Sequence, residues 1–296
     1  MTIYTARSLR EQFPELHKHL TDIFSSKAPW SCHNVVLQEI DTDNLWIRDW
    51  APIKTRDDSY TKFAYKSNKL IILENYKDFP QLEVKETCWS WLNPLDRSGI
   101  ILDGGNVAQN DTVVLMTDIV FKHNSNVPPM ILTRALERRF GKKIIFLPTE
   151  PEDELGHIDG IANFIDEKRV FINDYSVMED IVMDHYQKAT MKVLEEAGLE
   201  PILFPYAYHK CPKLPDEEFY DRYPFADDNN PGVGYYINYL VTPKVILVPA
   251  FGFKEDEKVR RIVGEYYPNH CIEQIDCYDL AMLGGLVHCV LWEKDD

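Results

Sequence analysis

Residues 156–160 read Gly-His-Ile-Asp-Gly, an imidazole and a carboxylate two positions apart between glycines, and an apolar run follows at 161–165. Read as the mouth of a strand, His157 and Asp159 project from one face and look into the same space. Four other stretches share this polar-then-apolar character: LWIRDWAPI (45–53), ILDGGNVAQ (101–109), GYYINYLV (234–241) and LGGLVHCVLW (283–292). They contribute Asp49, Asp103, Asn238 and Cys289, the last preceded by His288. A cysteine, a histidine and several carboxylates are the inventory of a thiolate nucleophile, its proton-transfer partner and a cation-binding pocket. Paired carboxylates suit a guanidinium, whose planar fork donates paired hydrogen bonds, and they repel an anionic substrate.

The elements that must position these groups follow from hydrophobic periodicity. Residues 6–27 carry an amphipathic helical stripe through Leu9, Phe13, Leu16, Leu20 and Ile23, with Pro14 as a break near its start. A strand follows at NVVLQEI. Strands TKFAYK, TVVLMTD, RVFINDY and KVILVPAFG come after four of the polar clusters, with turn signals at Asn110-Asp111, Asp166-Glu167 and Thr242-Pro243. Helical patterns at 127–140, 178–197 and 256–266, and a shorter one near 84–93, lead to further strands, among them KKIIFLP, PILFPY and CIEQID.

The polar anchors recur every 51 to 56 residues, apart from one interval of 79 between Asp159 and Asn238. Such a period marks one supersecondary module repeated, each burying a face against its neighbours. A closed ring of five ββαβ units would bring all five clusters to a common axis. The long interval holds residues 206–232, rich in Pro, Asp and Tyr and without periodicity, which reads as a lid loop.

The 296 residues are read as a single domain, 1–296, with ample apolar material for a core. Lys+Arg is 32 against Asp+Glu at 48, a formal charge of −16, which argues against nucleic acid and anionic membranes as partners and favours a small cation. The N-terminal MTIYTARSLREQF lacks a signal-peptide core and no stretch approaches a membrane span, so a cytoplasmic location is expected. The six cysteines show no framework spacing and read as reduced thiols.

The motifs WIRDWAP, LDGGNV, GHIDG, YYINYLV followed by VILVPAFG, and GGLVHC stand in the order and relative positions of those of the agmatine deiminase and Porphyromonas-type peptidylarginine deiminase family. The chain resembles that family over nearly its whole length. The resemblance implies an α/β pentein fold, a five-bladed pseudo-symmetric propeller, in agreement with the five-unit period. It implies Cys289 as the nucleophile at the guanidinium carbon and His157 as the general acid/base. Asp159 and Asp49 would grip the guanidinium nitrogens, and Trp46 would form a pocket wall. Asp103 stands where the family places a carboxylate before Gly-Gly, as a substrate contact or a structural partner. No metal and no cofactor are implied. The reaction expected is agmatine plus water to N-carbamoylputrescine plus ammonia through a covalent cysteine thiouronium. Arginine, peptidylarginine or another guanidino compound is the alternative substrate, and amidino transfer a more distant reading.

Two departures lie where a substrate tail would be read: Trp50-Ala51 in place of the family's Thr-Gly, and Leu286-Val287 in a shortened glycine motif. As neighbours on a strand, His288 and Cys289 are expected to face apart, and Asn238 is expected to be structural. The segment DTDNL opens like a calcium loop, but Trp46 replaces the glycine that its turn demands. PGVGYY lacks the third glycine of a dinucleotide fingerprint. A homo-oligomer is compatible with an acidic enzyme of this size.

Overall fold

The computed structural model describes residues 1–25, 35–65, 89–92, 95–151, 153, 155–207 and 232–295. Apart from residues 89–92, the short helix read near 84–93 lies outside the described residues. So does the loop read at 206–232, apart from 206, 207 and 232. The fold is mixed α/β, built on five small sheets of three strands each. In chain order the strands are β1 (Thr2–Ala6), β2 (Val36–Ile40), β3 (Ile53–Lys54), β4 (Tyr60–Ala64), β5 (Leu95–Ile101), β6 (Ala108–Gln109), β7 (Val113–Thr117), β8 (Lys143–Leu147), β9 (Ala162–Phe164), β10 (Arg169–Asn173), β11 (Glu200–Phe204), β12 (Leu240–Val241), β13 (Val245–Ala250), β14 (Cys271–Asp276) and β15 (Trp292–Lys294).

Every sheet has one plan. A short strand pairs antiparallel with a central strand, which pairs parallel with a third: β3-β4-β5, β6-β7-β8, β9-β10-β11, β12-β13-β14 and β15-β1-β2. A parallel pair needs a crossover, and helices supply it where the connection is described. They are α1 (Arg7–Gln12) and α2 (Pro14–Ile23), α4 (Ile119–His123) and α5 (Pro129–Phe140), α6 (Ile181–Glu196), and α7 (Glu255–Tyr266). The fifth sheet joins the chain ends, because the C-terminal β15 lies antiparallel to β1 in the register Thr2–Lys294, Ile3–Glu293 and Tyr4–Trp292. The sequence reading omitted β1, a five-residue strand at the terminus with no flanking turn signal.

Local chemistry sets the helix bounds. The stripe at 6–27 divides at Phe13, where Pro14 opens α2 at its first turn and tolerates having no amide hydrogen. Gly141, at φ +67°, ends α5 in the left-handed conformation while its N–H donates to Glu137 O. The helix read at 178–197 begins three residues later, because Asp180 caps it by accepting from the Val182 and Met183 amides. Its buried Met183, Tyr186, Thr190 and Leu194 keep the spacing of one helical face.

The polar clusters do open into strands, but their polar residues stand in turns ahead of the strands and not in strand geometry. Ile47–Trp50 forms a single helical turn, α3, whereas Gly104–Asn106 and Ile158–Gly160 form 3₁₀ turns. His288 and Cys289 also lie in a turn, ahead of β15. Each cluster therefore bends the chain and then feeds the short first strand of a sheet. Side chains tie successive sheets together at these first strands. Trp292 Nε1 donates to Pro52 O (2.9 Å), Gln109 Nε2 to Lys54 O (3.1 Å), and Asn163 Nδ2 to Ile237 O (3.2 Å) and Tyr239 O (3.1 Å). The largest apolar core gathers β1, β13, the helices α1, α2 and α7, and residues 280–291, where Val245, Ile246, Leu247 and Val248 are all but inaccessible. None of the described helices is long and apolar enough to cross a membrane.

Candidate active site

His157 sits in extended backbone just before the 3₁₀ turn that carries Asp159, so the two side chains are brought to one space by the turn and not by strand alternation. The imidazole lies among three carboxylates. Its Nε2 is 3.2 Å from Asp103 Oδ2 and its Nδ1 is 3.6 Å from Asp49 Oδ1. Burial pulls the imidazole pKa down, but the Asp49 charge, the Asp103 hydrogen bond and charge, and Asp159 outweigh it and raise it to about 10. At neutral pH His157 is an imidazolium.

Gly105 makes this approach possible. A β-carbon there would stand 2.6 Å from His157 Nδ1 and 2.7 Å from Asp49 Oδ1, so the Gly-Gly step beside Asp103 leaves room for the ion cluster. Asp103 is deeply buried beside the imidazole and is placed to hold it.

Cys289 is a free thiol among the described cysteines. Its Sγ is 3.9 Å from Asp159 Oδ2 and receives Asn238 Nδ2 at 3.4 Å. Burial, then Asp159 and Asp49, push its pKa well above the ordinary thiol value, so the resting group is protonated. The same two carboxylates, Asp49 and Asp159, therefore raise both the His157 and the Cys289 pKa, and they link the two groups electrostatically. A cation placed between them would offset both charges at once.

Two expectations are corrected. His288 does not turn away from the site: its Nδ1 pairs with Asp159 Oδ2 at 2.8 Å. In a turn, unlike a strand, neighbouring side chains need not face opposite ways. Asn238 is also more than a scaffold residue. It touches the thiol, donates to Asp159 O (3.3 Å), and accepts the His288 amide (3.1 Å), so it holds three parts of the site. Asp159 keeps a pKa below the ordinary carboxylate value despite burial, because the hydrogen bond and charge of His288, then His157 and Arg48, favour its ionised form.

Arg48 pairs with Glu293 rather than with Asp49, and its Nε donates to His288 O at 3.3 Å. The Arg48 amide donates to Cys289 O at 3.1 Å. The helical turn that presents Asp49 thus also clamps the backbone of the cysteine turn. Trp46 is half-buried beside Gly285, where a β-carbon would fall 2.2 Å from its ring. The missing side chain at Gly285 is therefore needed to seat Trp46 beside the stretch that leads into the thiol turn.

Behind the His157 turn lies a buried carboxyl that sequence reasoning missed. Glu150 accepts from Tyr175 Oη (2.6 Å) and Tyr235 Oη (2.9 Å). Asn173 Nδ2 donates to Tyr175 Oη (3.1 Å) and to Gly160 O (2.7 Å), which joins Glu150 to the turn carrying Asp159. Burial raises the Glu150 pKa to about 7, against the pull of its two tyrosine donors. A carboxyl whose folded pKa lies above its unfolded 4.5 holds its proton better when folded, so its contribution is favourable below 4.5 and is lost as pH rises through 7. Glu150→Gln is therefore expected to stabilise the fold at pH 8 by an amount on the order of 3 kcal/mol and to leave it nearly unchanged at pH 4. Thermal melts at the two pH values check this, and equal shifts at both would refute it.

Among the described residues no group of three or more His, Cys, Asp and Glu side chains is arranged to hold a metal ion.

Comparison with known proteins places this geometry. Residues 6–294 match the family model of Porphyromonas-type peptidyl-arginine deiminase. The agmatine deiminase of Pseudomonas syringae pv. syringae is 26% identical over 216 residues, which is 66% of this chain and 57% of that protein. The agmatine deiminase of Stutzerimonas stutzeri is 23% identical over 286 residues, 86% of this chain and 76% of that protein. Among solved structures, an agmatine deiminase of C. jejuni with substrate bound superposes with a TM-score of 0.72 at 20% identity, covering 98% of this chain and 92% of that one. A more distant likeness is DDAH from Pseudomonas aeruginosa, with a TM-score of 0.54 at 11% identity, covering 98% and 97%. At these identities the solved structures establish a common fold, and the family match spans almost every residue: the chain belongs to the Porphyromonas-type peptidyl-arginine deiminase family.

Proposed function

We propose that this protein is a guanidino-group hydrolase that converts agmatine and water to N-carbamoylputrescine and ammonia. The observation that carries the reading is that Asp159 lies 3.9 Å from the half-buried Cys289 sulfur and Asp49 lies 3.6 Å from the half-buried His157 ring, with both carboxylates raising the pKa of both groups. Two carboxylates that both act on the sulfur attract a cation toward it, and a flat guanidinium fits two carboxylates. Membership of the family and the likeness to an agmatine deiminase crystallised with its substrate support the choice.

The resting site holds Cys289 as a thiol and His157 as an imidazolium. A substrate guanidinium between Asp49 and Asp159 brings a positive charge to within a few ångströms of sulfur. At about 4 Å and an effective dielectric near 20 that interaction is worth about 4 kcal/mol, or roughly three pKa units, so it lowers the thiol pKa and favours transfer of the thiol proton to solvent water. The thiolate attacks the guanidinium carbon and forms a C–S bond. His157 then gives its proton to one nitrogen, the C–N bond breaks and ammonia departs, leaving a thiouronium on Cys289. Neutral His157 next takes a proton from water as the oxygen adds to the same carbon. Collapse breaks the C–S bond, passes the hydroxyl proton to sulfur, frees the ureido product and restores the resting thiol. Asp103 holds the imidazole in line throughout, and Trp46 walls the space beside the thiol.

The five like sheets, three neighbouring pairs of which are joined by side-chain hydrogen bonds at or beside their first strands, support a five-bladed pentein propeller in one domain, 1–296, with the five polar turns around its axis. Ammonia release measured on agmatine, free arginine and a blocked arginine peptide tests the function. Agmatine is expected to be turned over at least about tenfold more efficiently than the other two. Preference for arginine or the peptide would move the substrate within the class, release only in the presence of an acceptor amine would indicate amidino transfer, and no ureido product from any of the three would reject the reading.

A further inference from the structure

A cavity of about 300 Å³ lies on the strand side of the polar turns. Among the described residues it is walled by the short first strands of all five sheets, and it touches Asp159 and His288 but not Cys289, His157 or Asp49. Its lining is partly polar, with Asn163, Gln109, Lys54 and the Arg48–Glu293 pair, and water at liquid density takes about 30 Å³ per molecule, so it has room for several waters. The Lys54 side chain in its wall is 38% exposed and pairs with Asp295. Asp159 and His288, in the same wall, are where the cavity meets the polar site. Asp159 Oδ2 is 3.9 Å from the Cys289 sulfur and 2.8 Å from His288 Nδ1.

We propose that this cavity is a rear passage for water and ammonia, entered past the Asp159–His288 pair. The inference rests on the deiminase reading above. In that reaction ammonia must leave and water must reach the same carbon while the thiouronium still ties the substrate to sulfur. The alkyl tail then fills the side from which substrate entered, so exchange by that side requires small molecules to pass a covalently held chain. The cavity offers a second side. Ammonia released beside Asp159 passes the His288 ring to reach this partly polar space, and water makes the reverse passage with the same partners.

Ala108 and Val241 lie on the first strands of different sheets, line the cavity and take no part in catalysis. Ala108→Phe and Val241→Phe would narrow it from two walls, which guards against a folding failure of either one. Rapid-quench intact mass spectrometry on agmatine separates formation of the Cys289 adduct from its hydrolysis. Each folded variant is expected to form the adduct at the wild-type rate and to hydrolyse it at least about tenfold more slowly, so that the adduct accumulates. Wild-type hydrolysis in the folded variants overturns the passage. Loss of adduct formation in step with hydrolysis also overturns it, since the front site is then disturbed. A wild-type protein that forms no adduct and releases no ammonia rejects the deiminase reading itself, which is a different result from the first two.

Discussion

Cys289→Ala is expected to abolish ammonia release from agmatine and to leave no covalent adduct by intact mass spectrometry, while the melting temperature stays within a few degrees of wild type. The loss should exceed about 10⁴-fold, because in the proposed reaction the residue supplies the bond-forming atom and no other described thiol replaces it. Cys271 and Cys277 sit on β14 and at the start of the next helical turn, and Cys277 is wholly buried. The fold should survive because the thiol's packing role is small: removal of one sulfur beside Asn238 and Asp159 leaves the Arg48 and Asn238 hydrogen bonds to the backbone of this turn in place. The variant also isolates the electrostatic argument. In the wild type, a cationic amidine alkylating agent such as 2-chloroacetamidine should modify Cys289 at least about 100-fold faster than neutral chloroacetamide, since only the cation offsets Asp49 and Asp159 and lowers the thiol pKa. Equal rates with the two reagents would show that the carboxylates do not control the sulfur.

His157→Gln should lower kcat on agmatine by about 10²–10⁴, the usual contribution of a positioned proton-transfer group. Its pH behaviour distinguishes it from a merely structural change. Because departure of ammonia needs the imidazolium in the proposed reaction, wild-type kcat/KM should fall at alkaline pH as His157 of the free enzyme loses its proton near 10, and that limb should vanish from the residual activity of the variant. Stability gives a second reading with a fixed sign. The folded pKa of about 10 lies above the unfolded value of 6.5, so the stabilisation is complete below 6.5 and is lost as pH rises through 10. The slope of melting temperature between those values should therefore be shallower in His157→Gln than in wild type. An unchanged slope would mean that the carboxylate cluster does not hold a proton on this ring.

Much of the architecture was legible in the chain because it repeats. The recurrence of a polar cluster, a short strand, a central strand and a crossover about every 55 residues gives the plan that all five sheets follow. The helices at 129–140, 181–196 and 255–266 were visible in their apolar spacing, with ends set by a proline and a glycine in the first and an aspartate cap in the second. The strand β1 escaped because its meaning lies in its partner: Thr2 to Tyr4 become a central strand only when residues 292–294 come back beside them.

By itself, the sequence determined which side chains are available for chemistry and that they recur in five like places. Cys289, His157, Asp49, Asp103 and Asp159 could all be named from their clusters. What only the tertiary structure decided is how they are shared out: Asp103 beside the imidazole, Asp159 between sulfur and His288, Asn238 against the thiol, and Arg48 drawn off to Glu293. Those pairings span up to 245 residues of chain, and the local geometry that governs them is a set of turns in which alternation of faces does not apply. Residue type and period fix local form, but a hydrogen bond between distant turns depends on where five separate sheets bring their ends, and that is a property of the packed chain.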